Sequence, residues 1–217
     1  PNHPYAEICG TVLSPQVVLS ECNTTYFGVR FLPGYNPVLG SADIMAHLVN
    51  HRIPLDDLIQ DRRMLEGIWG ASDFRQQIRV FMRSYMNIYR RVCPQEHQNL
   101  LVLHSSNLMI RSGGGISVEQ LAEDTGYTPR YIDKCFRNET GLSPKQLAKI
   151  VRFQTAVSAL NQNQHTGRSL TEIAADLGYF DQSHFVHDFK TYTGLTPKKY
   201  QMLLRNDAFD EKLRIVQ

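Results

Sequence analysis

The sequence lacks long apolar runs: no stretch approaches the ~18 consecutive apolar residues of a spanning helix, so a membrane partner is not expected. It is poor in cysteine, and its four (Cys9, Cys22, Cys93 and Cys135) are scattered with no Cys-x-x-Cys pair. That spacing suits neither a structural zinc site nor a secreted disulfide framework, and a reducing, cytoplasmic setting is the simplest expectation. An excess of one charge is missing too. The chain carries 23 Lys and Arg against 21 Asp and Glu, a formal +2. Bulk charge therefore does not announce a nucleic-acid binder, and any basic surface must be made by placement.

Chemical motifs are scarce as well. Gly113-Gly114-Gly115 is not followed by the Lys-Ser/Thr of a phosphate-binding loop. No serine elbow or paired-carboxylate motif is present, so neither an enzyme nor a cofactor is expected. His47 and His51 stand four apart, but without His-Glu-x-x-His or a third ligand they read as solvated residues, not a metal site. The start, Pro1-Asn2-His3-Pro4-Tyr5, lacks the basic-then-apolar layout of a signal peptide. The absence of an initial Met suggests a longer or processed chain.

What the chain does have is ordinary globular material, 42% hydrophobic and 20% charged over 217 residues, enough for one or two domains. It also has an internal repeat. The first copy runs from Ser117 through Leu121, Ala122, Gly126 and Tyr127 to Phe136 and Thr140-Gly141-Leu142-Ser143-Pro144-Lys145. The second runs from Ser169 through Ile173, Ala174, Gly178 and Tyr179 to Phe189 and Thr193-Gly194-Leu195-Thr196-Pro197-Lys198.

Each copy reads as helix, glycine turn, helix. Ser117 with Gln120 and Ser169 with Glu172 fit the capping box. Val118, Leu121 and Ala122, like Leu170, Ile173 and Ala174, recur at helical spacing. Gly126 and Gly178 stand where a left-handed residue ends a helix. The small Ala122 and Ala174 let a second helix cross closely, expected over 128–138 and 181–191. Ser143-Pro144 and Thr196-Pro197 then open a further helix, with a capping hydroxyl and proline at its first position. This is the arrangement whose second helix enters a DNA major groove. On that helix Ile132 and Phe136 face inward in the first copy, and Phe185 and Phe189 in the second.

In these residues the chain resembles the C-terminal DNA-binding domain of AraC/XylS-type transcription regulators. The most specific part is Ile173-Ala174-Ala175-Asp176-Leu177-Gly178-Tyr179-Phe180-Asp181-Gln182-Ser183-His184-Phe185. Two copies in order, each closing on Gly-x-Ser/Thr-Pro, make the match far stronger than a single unit would. The resemblance implies a mainly α protein: a seven-helix domain with two helix-turn-helix units at 116–205, preceded by a small α+β domain. One long helix from Pro144 to about Leu160, with Leu147, Ile150, Val151, Val157 and Leu160 on a buried stripe, would join the units. Two recognition helices would then read successive major grooves about 34 Å apart.

By the same resemblance, the DNA-contacting residues are Thr128, Arg130, Asp133, Lys134 and Arg137 in the first unit. In the second they are Gln182, Ser183, His184, His187 and Lys190. Arg and Lys suit guanine and Gln suits adenine, while Arg137 and Lys190 are expected at phosphates. With His187 on its face the second unit would either read weakly or depend on pH. Asp133 and Asp188 put negative charge on or near these faces. Residues 113–205 hold 11 Lys and Arg against 9 Asp and Glu, so this region is itself only +2. The implied function is transcription regulation, with double-stranded DNA and RNA polymerase as partners and activation as its sign. An alternative is a sensor or interaction protein whose helix-turn-helix units dock another protein. A third, an enzyme fused to a DNA-binding module, finds no reactive motif.

The first half divides less clearly. Residues 1–91 are expected to be a sensor or dimerisation domain, a partial β-barrel followed by helices. A small-molecule effector and a homodimer both find room in that reading. Strands are expected at 9–13, 16–19 and 26–31, and helices at 42–50, 62–69 and 73–91. The last carries Phe74, Ile78, Phe81, Met82, Tyr85 and Ile88, read as core alone in preference to half core and half dimer seam. Arg75, Arg79 and Arg83 are expected on a solvated face, and Trp69 in the core. Residues 92–115 read as a helix from Pro94 to about Ile110 ending in a flexible glycine linker, and 206–217 as a tail.

Overall fold

The computed structural model describes residues 5–15, 25–33, 42–58, 62–92 and 99–205. The expected strand at 16–19, the start of the helix at Pro94, Cys22, Cys93 and the tail 206–217 lie outside them. The protein is mostly helical. In chain order its elements are β1 (Glu7–Cys9), α1 (Ala42–Leu48), β2 (Arg52–Pro54), α2 (Leu55–Leu58), α3 (Arg62–Trp69) and α4 (Phe74–Val92). Seven more helices follow: α5 (Leu100–Arg111), α6 (Val118–Thr125), α7 (Pro129–Thr140), α8 (Pro144–Thr166), α9 (Leu170–Asp176), α10 (Gln182–Thr193) and α11 (Pro197–Arg205).

Two compact units form, and they interleave along the chain. One takes the described residues of Pro1–Val12, Val18–His104 and Arg130–Leu142. The other takes those of Leu13–Val17, Ser105–Pro129 and Ser143–Gln217. In the first unit β1 and β2 pair antiparallel with Ile8 opposite Ile53, and Arg52 bridges to Glu7 across them at 2.6 Å. α3 packs on α4 around Met64, Ile68 and Ile88.

The structure corrects the reading of the first half at three points. Among the described residues the sheet has two strands, and 26–31 is not one of them. Its alternate apolar residues find a helix in place of a partner strand: the Phe27 and Phe31 rings lie 6.2 and 6.5 Å from Phe81 of α4. The α4 stripe is core only in part, because Ile88 is buried while Phe74, Ile78 and Met82 are exposed. Trp69, at the last turn of α3, is 50% exposed and is not core. The α3 and α4 boundaries match the periodicity to within a residue, since a strongly amphipathic pattern fixes helix extent well.

The second unit is tighter. α8, α9, α10 and α11 enclose Ala156, Val157, Leu160, Ile173, Ala174, Tyr179, Phe185, Phe189 and Tyr200. The buried Ala174 fills the role that its size suggested. The glycine run is not a loose linker. Gly113 and Gly114 are left-handed, and their N–H groups donate to Ile110 and Met109 carbonyls, the paired bonds that close the C-terminus of α5. Gly114 is buried, and a Cβ on it would fall 2.3 Å from the Ala148 carbonyl of α8. Composition alone suggested flexibility, and packing overrides it.

Candidate nucleic-acid interface

The second helix-turn-helix is built from its caps inward. The Ser169 hydroxyl accepts from the Glu172 N–H at 3.2 Å, and the Ser169 N–H donates to the Glu172 carboxylate at 2.7 Å. That backbone bond, with the hydroxyl bond beside it, holds the Glu172 carboxyl below its usual range. α9 ends at Leu177, and left-handed Gly178 turns the chain. Asp181 then caps α10, accepting the His184 N–H at 2.7 Å. At its far end Thr193 donates to the Phe189 carbonyl at 2.8 Å and accepts the Leu195 N–H at 3.0 Å. Thr140 makes the same pair of bonds, to Phe136 at 2.7 Å and from Leu142 at 3.2 Å. The threonine of each Thr-Gly-Leu is thus a corner brace, a role the repeat displays without explaining.

These anchors decide which side chains of α10 reach solvent. Phe185 and Phe189 are buried; Gln182, Ser183, His184, His187 and Lys190 are exposed. Thr171 of α9 donates to the Gln182 carbonyl oxygen at 2.7 Å. That bond engages the amide oxygen of an exposed side chain whose NH₂ is a donor pair. Sequence reasoning missed Thr171; its signal was a hydroxyl in the first turn of the preceding helix. His184 Nε2 stands 3.7 Å from the Asp188 carboxylate. Asp188, expected on or near the reading face, is only 9% exposed and belongs to the inner side. The Arg168–Asp176 pair adds an exposed brace between the α9 cap and its last turn.

The first copy has the same devices. Ser117 and Gln120 form the capping box of α6, and left-handed Gly126 closes that helix. α7 buries Ile132, Cys135 and Phe136 and exposes Arg130, Lys134 and Arg137. Arg137 Nε donates to Asp133 at 2.7 Å. Asp133 therefore orients Arg137, an exposed pair that holds geometry at about 0.3–0.5 kcal/mol. Thr128, just ahead of α7, is exposed. Among the described residues three helices carry the capping box, because Ser143 and Gln146 form one at the head of α8.

Arg152 of α8 was not singled out by sequence. Its guanidinium donates to the Gly114 carbonyl at 2.9 Å and lies 5.4 Å above the Tyr179 ring. Burial pushes the Tyr179 phenol up to about 12, helped by Asp188 and opposed by Arg152. Burial also raises Tyr192 and Tyr200. Alkaline titration followed by phenolate absorbance is expected to show these tyrosines ionising late, Tyr179 last. Because its folded pKa lies above the unfolded one, the folded state binds the extra proton between pH 10 and about 12. Stability is full below pH 10 and falls as pH rises through 12. A Tyr179→Phe protein that kept the latest step would contradict the assignment.

Elsewhere, the His47 and His51 rings stack at 5.2 Å, and among the described residues no three metal-binding side chains gather. No helix of the described residues is long and apolar enough to cross a membrane.

A helix-turn-helix domain family matches residues 95–202. The chain is 27% identical over 103 residues to the HTH-type transcriptional activator AarP of Providencia stuartii, covering 48% of this chain and 71% of that protein. It is 34% identical over 84 residues to an HTH-type transcriptional regulator of Haemophilus influenzae, covering 39% of this chain and 27% of the relative. The multiple antibiotic resistance protein MarA of Escherichia coli is 25% identical over 87 residues, 40% of this chain and 66% of MarA. Among solved structures, the C-terminal domain of AraT, a response regulator from Geobacillus stearothermophilus, superposes with a TM-score of 0.44 at 22% identity, over 54% of this chain and 90% of that one.

Proposed function

The C-terminal half of this chain is a helix-turn-helix domain of the AraC/XylS type, and from that premise we propose that the protein is a DNA-binding transcription regulator whose α7 and α10 each read a major groove. The observation that carries this is the second unit. Caps at Ser169 and Asp181 and a buried Phe185–Phe189 face leave Gln182, Ser183, His187 and Lys190 outward on one braced helix. Gln182 suits adenine and Lys190 a phosphate. On α7, Arg130 and Lys134 suit guanine, with Arg137 held by Asp133 for the backbone. The 23 residues of α8 give a helix about 34 Å long, the length of one DNA turn.

Activation as the sign is supported by the transcriptional activator AarP and by the F1 operon positive regulatory protein of Yersinia pestis, 28% identical over 88 residues; RNA polymerase is the partner we propose for that role. We further propose that 116–205 is the reading domain and that the chain before it senses an effector or makes a homodimer.

Footprinting on duplexes retained from a random-sequence pool tests the reading. Two successive grooves on one face should be protected, and the log–log salt slope should be near roughly −5 to −6, from about 5–7 phosphate contacts. Arg130→Glu with Lys134→Glu should weaken binding by about a hundredfold. Unchanged affinity would transfer the first unit to protein docking, and salt-insensitive or single-groove binding would end the tandem reading.

A further inference from the structure

Phe180 is 93% exposed. It is the outlier in the second unit, where Tyr179, Phe185, Phe189 and Tyr200 are all buried. It stands between the turn glycine and Asp181, the N-cap of α10.

A folding role for this ring can be tested on its neighbours. A residue just ahead of an N-cap commonly packs on the fourth residue of the helix, a hydrophobic staple. For α10 that residue is Phe185. Phe185 is already covered: the Tyr179 ring lies 5.2 Å from it and the Phe189 ring 5.9 Å. Tyr179, one residue earlier, holds the place a staple would take, and Phe180 is left in solvent. The repeat makes the same point. The equivalent of Gly178-Tyr179-Phe180 in the first copy is Gly126-Tyr127-Thr128, and Thr128 is exposed as well. The scaffold asks for nothing apolar here. An exposed phenyl ring beside two helix caps therefore has no structural employment.

Its surroundings indicate what it would meet. Phe180 is two residues from Gln182, an exposed side chain whose amide oxygen is held by Thr171. A duplex seated against Gln182 and Ser183 brings its major-groove edge past the start of α10. The apolar group that such an edge presents is the thymine C5-methyl. We propose that Phe180 reads a thymine through its methyl group, next to the base contacted by Gln182, and so adds specificity that the polar face of α10 does not supply. This rests on the DNA-binding reading of α10.

The test uses the full chain and a duplex retained from the random pool, with each thymine replaced in turn by uracil to remove one methyl. Wild type should lose about fivefold or more in affinity at one position beside the second unit's groove. Phe180→Ala should weaken binding to the all-thymine duplex by a similar factor and show a flat uracil profile. Phe180→Thr, which restores the first copy's residue, should behave alike, and neither change should shift the melting temperature of so exposed a site. Wild-type protection with an unchanged affinity for Phe180→Ala would overturn this inference and leave DNA binding intact. A uniform loss with no thymine position singled out would overturn the thymine assignment. Failure of wild type to retain any duplex would overturn both readings together.

Discussion

Phe189→Ala is expected to cost the α8–α11 unit about 3–5 kcal/mol, the range for truncating a fully buried phenylalanine. Phe189 is where three helices meet. Its ring centroid lies 5.5 Å from Phe153 of α8, 5.9 Å from Phe185 of α10 and 5.4 Å from Tyr200 of α11. Two of these contacts are edge-on, the geometry that adds to simple area burial. A domain has about 5–15 kcal/mol in all, so this single change removes a large share. Chemical denaturation should show the midpoint fall with the slope retained, and DNA retention should fall with it. Phe189→Leu, which keeps much of the volume, should recover part of the loss. A cost under about 1 kcal/mol would show that the three helices are held elsewhere.

Gly114→Ala should cost about 2–4 kcal/mol, from left-handed strain plus overpacking. At φ +81° a Cβ would stand 2.3 Å from the Ala148 carbonyl and 2.6 Å from the Arg152 nitrogen, both backbone atoms of α8 that cannot swing aside. Gly126 is the matched control. Its φ is +74°, but a Cβ there meets nothing within 4 Å. Gly126→Ala should cost only the conformational term, about 1 kcal/mol. Thermal melts of the two variants separate strain from collision. Equal losses would mean that the glycine run does not press on α8.

The second half was legible because its signals are local and doubled. Capping pairs, turn glycines and Ser/Thr-Pro helix starts act within four residues, and a second copy 52 positions on repeats each of them. Boundaries of α7 and α10 came within one or two residues for the same reason. The outward residues of α10 followed from burying Phe185 and Phe189, since helical spacing then leaves no choice of face. What escaped was long-range or particular to side-chain reach. Arg152 on Gly114 spans 38 positions, and Thr171 on Gln182 spans 11. The burial of Asp188 also escaped, since an acid is rarely buried, yet His184 one turn back gives it a partner. In the first half the fault lay with alternation, which suits a strand only where another strand pairs with it. At Phe27 and Phe31 the partner is a helix, and a spacing of four serves that equally well.

Arg152 carries one more consequence. Its guanidinium is shared between the carbonyl of Gly114, in the turn that ends α5, and the ring of Tyr179, in the turn between α9 and α10. A fragment that keeps this contact therefore includes the end of α5 and does not begin at the first serine of the repeat. A cut at Ile116 would strip the guanidinium of its acceptor and open α8 where Gly114 had closed it. The glycine run that composition reads as flexible is a fixed support laid against α8.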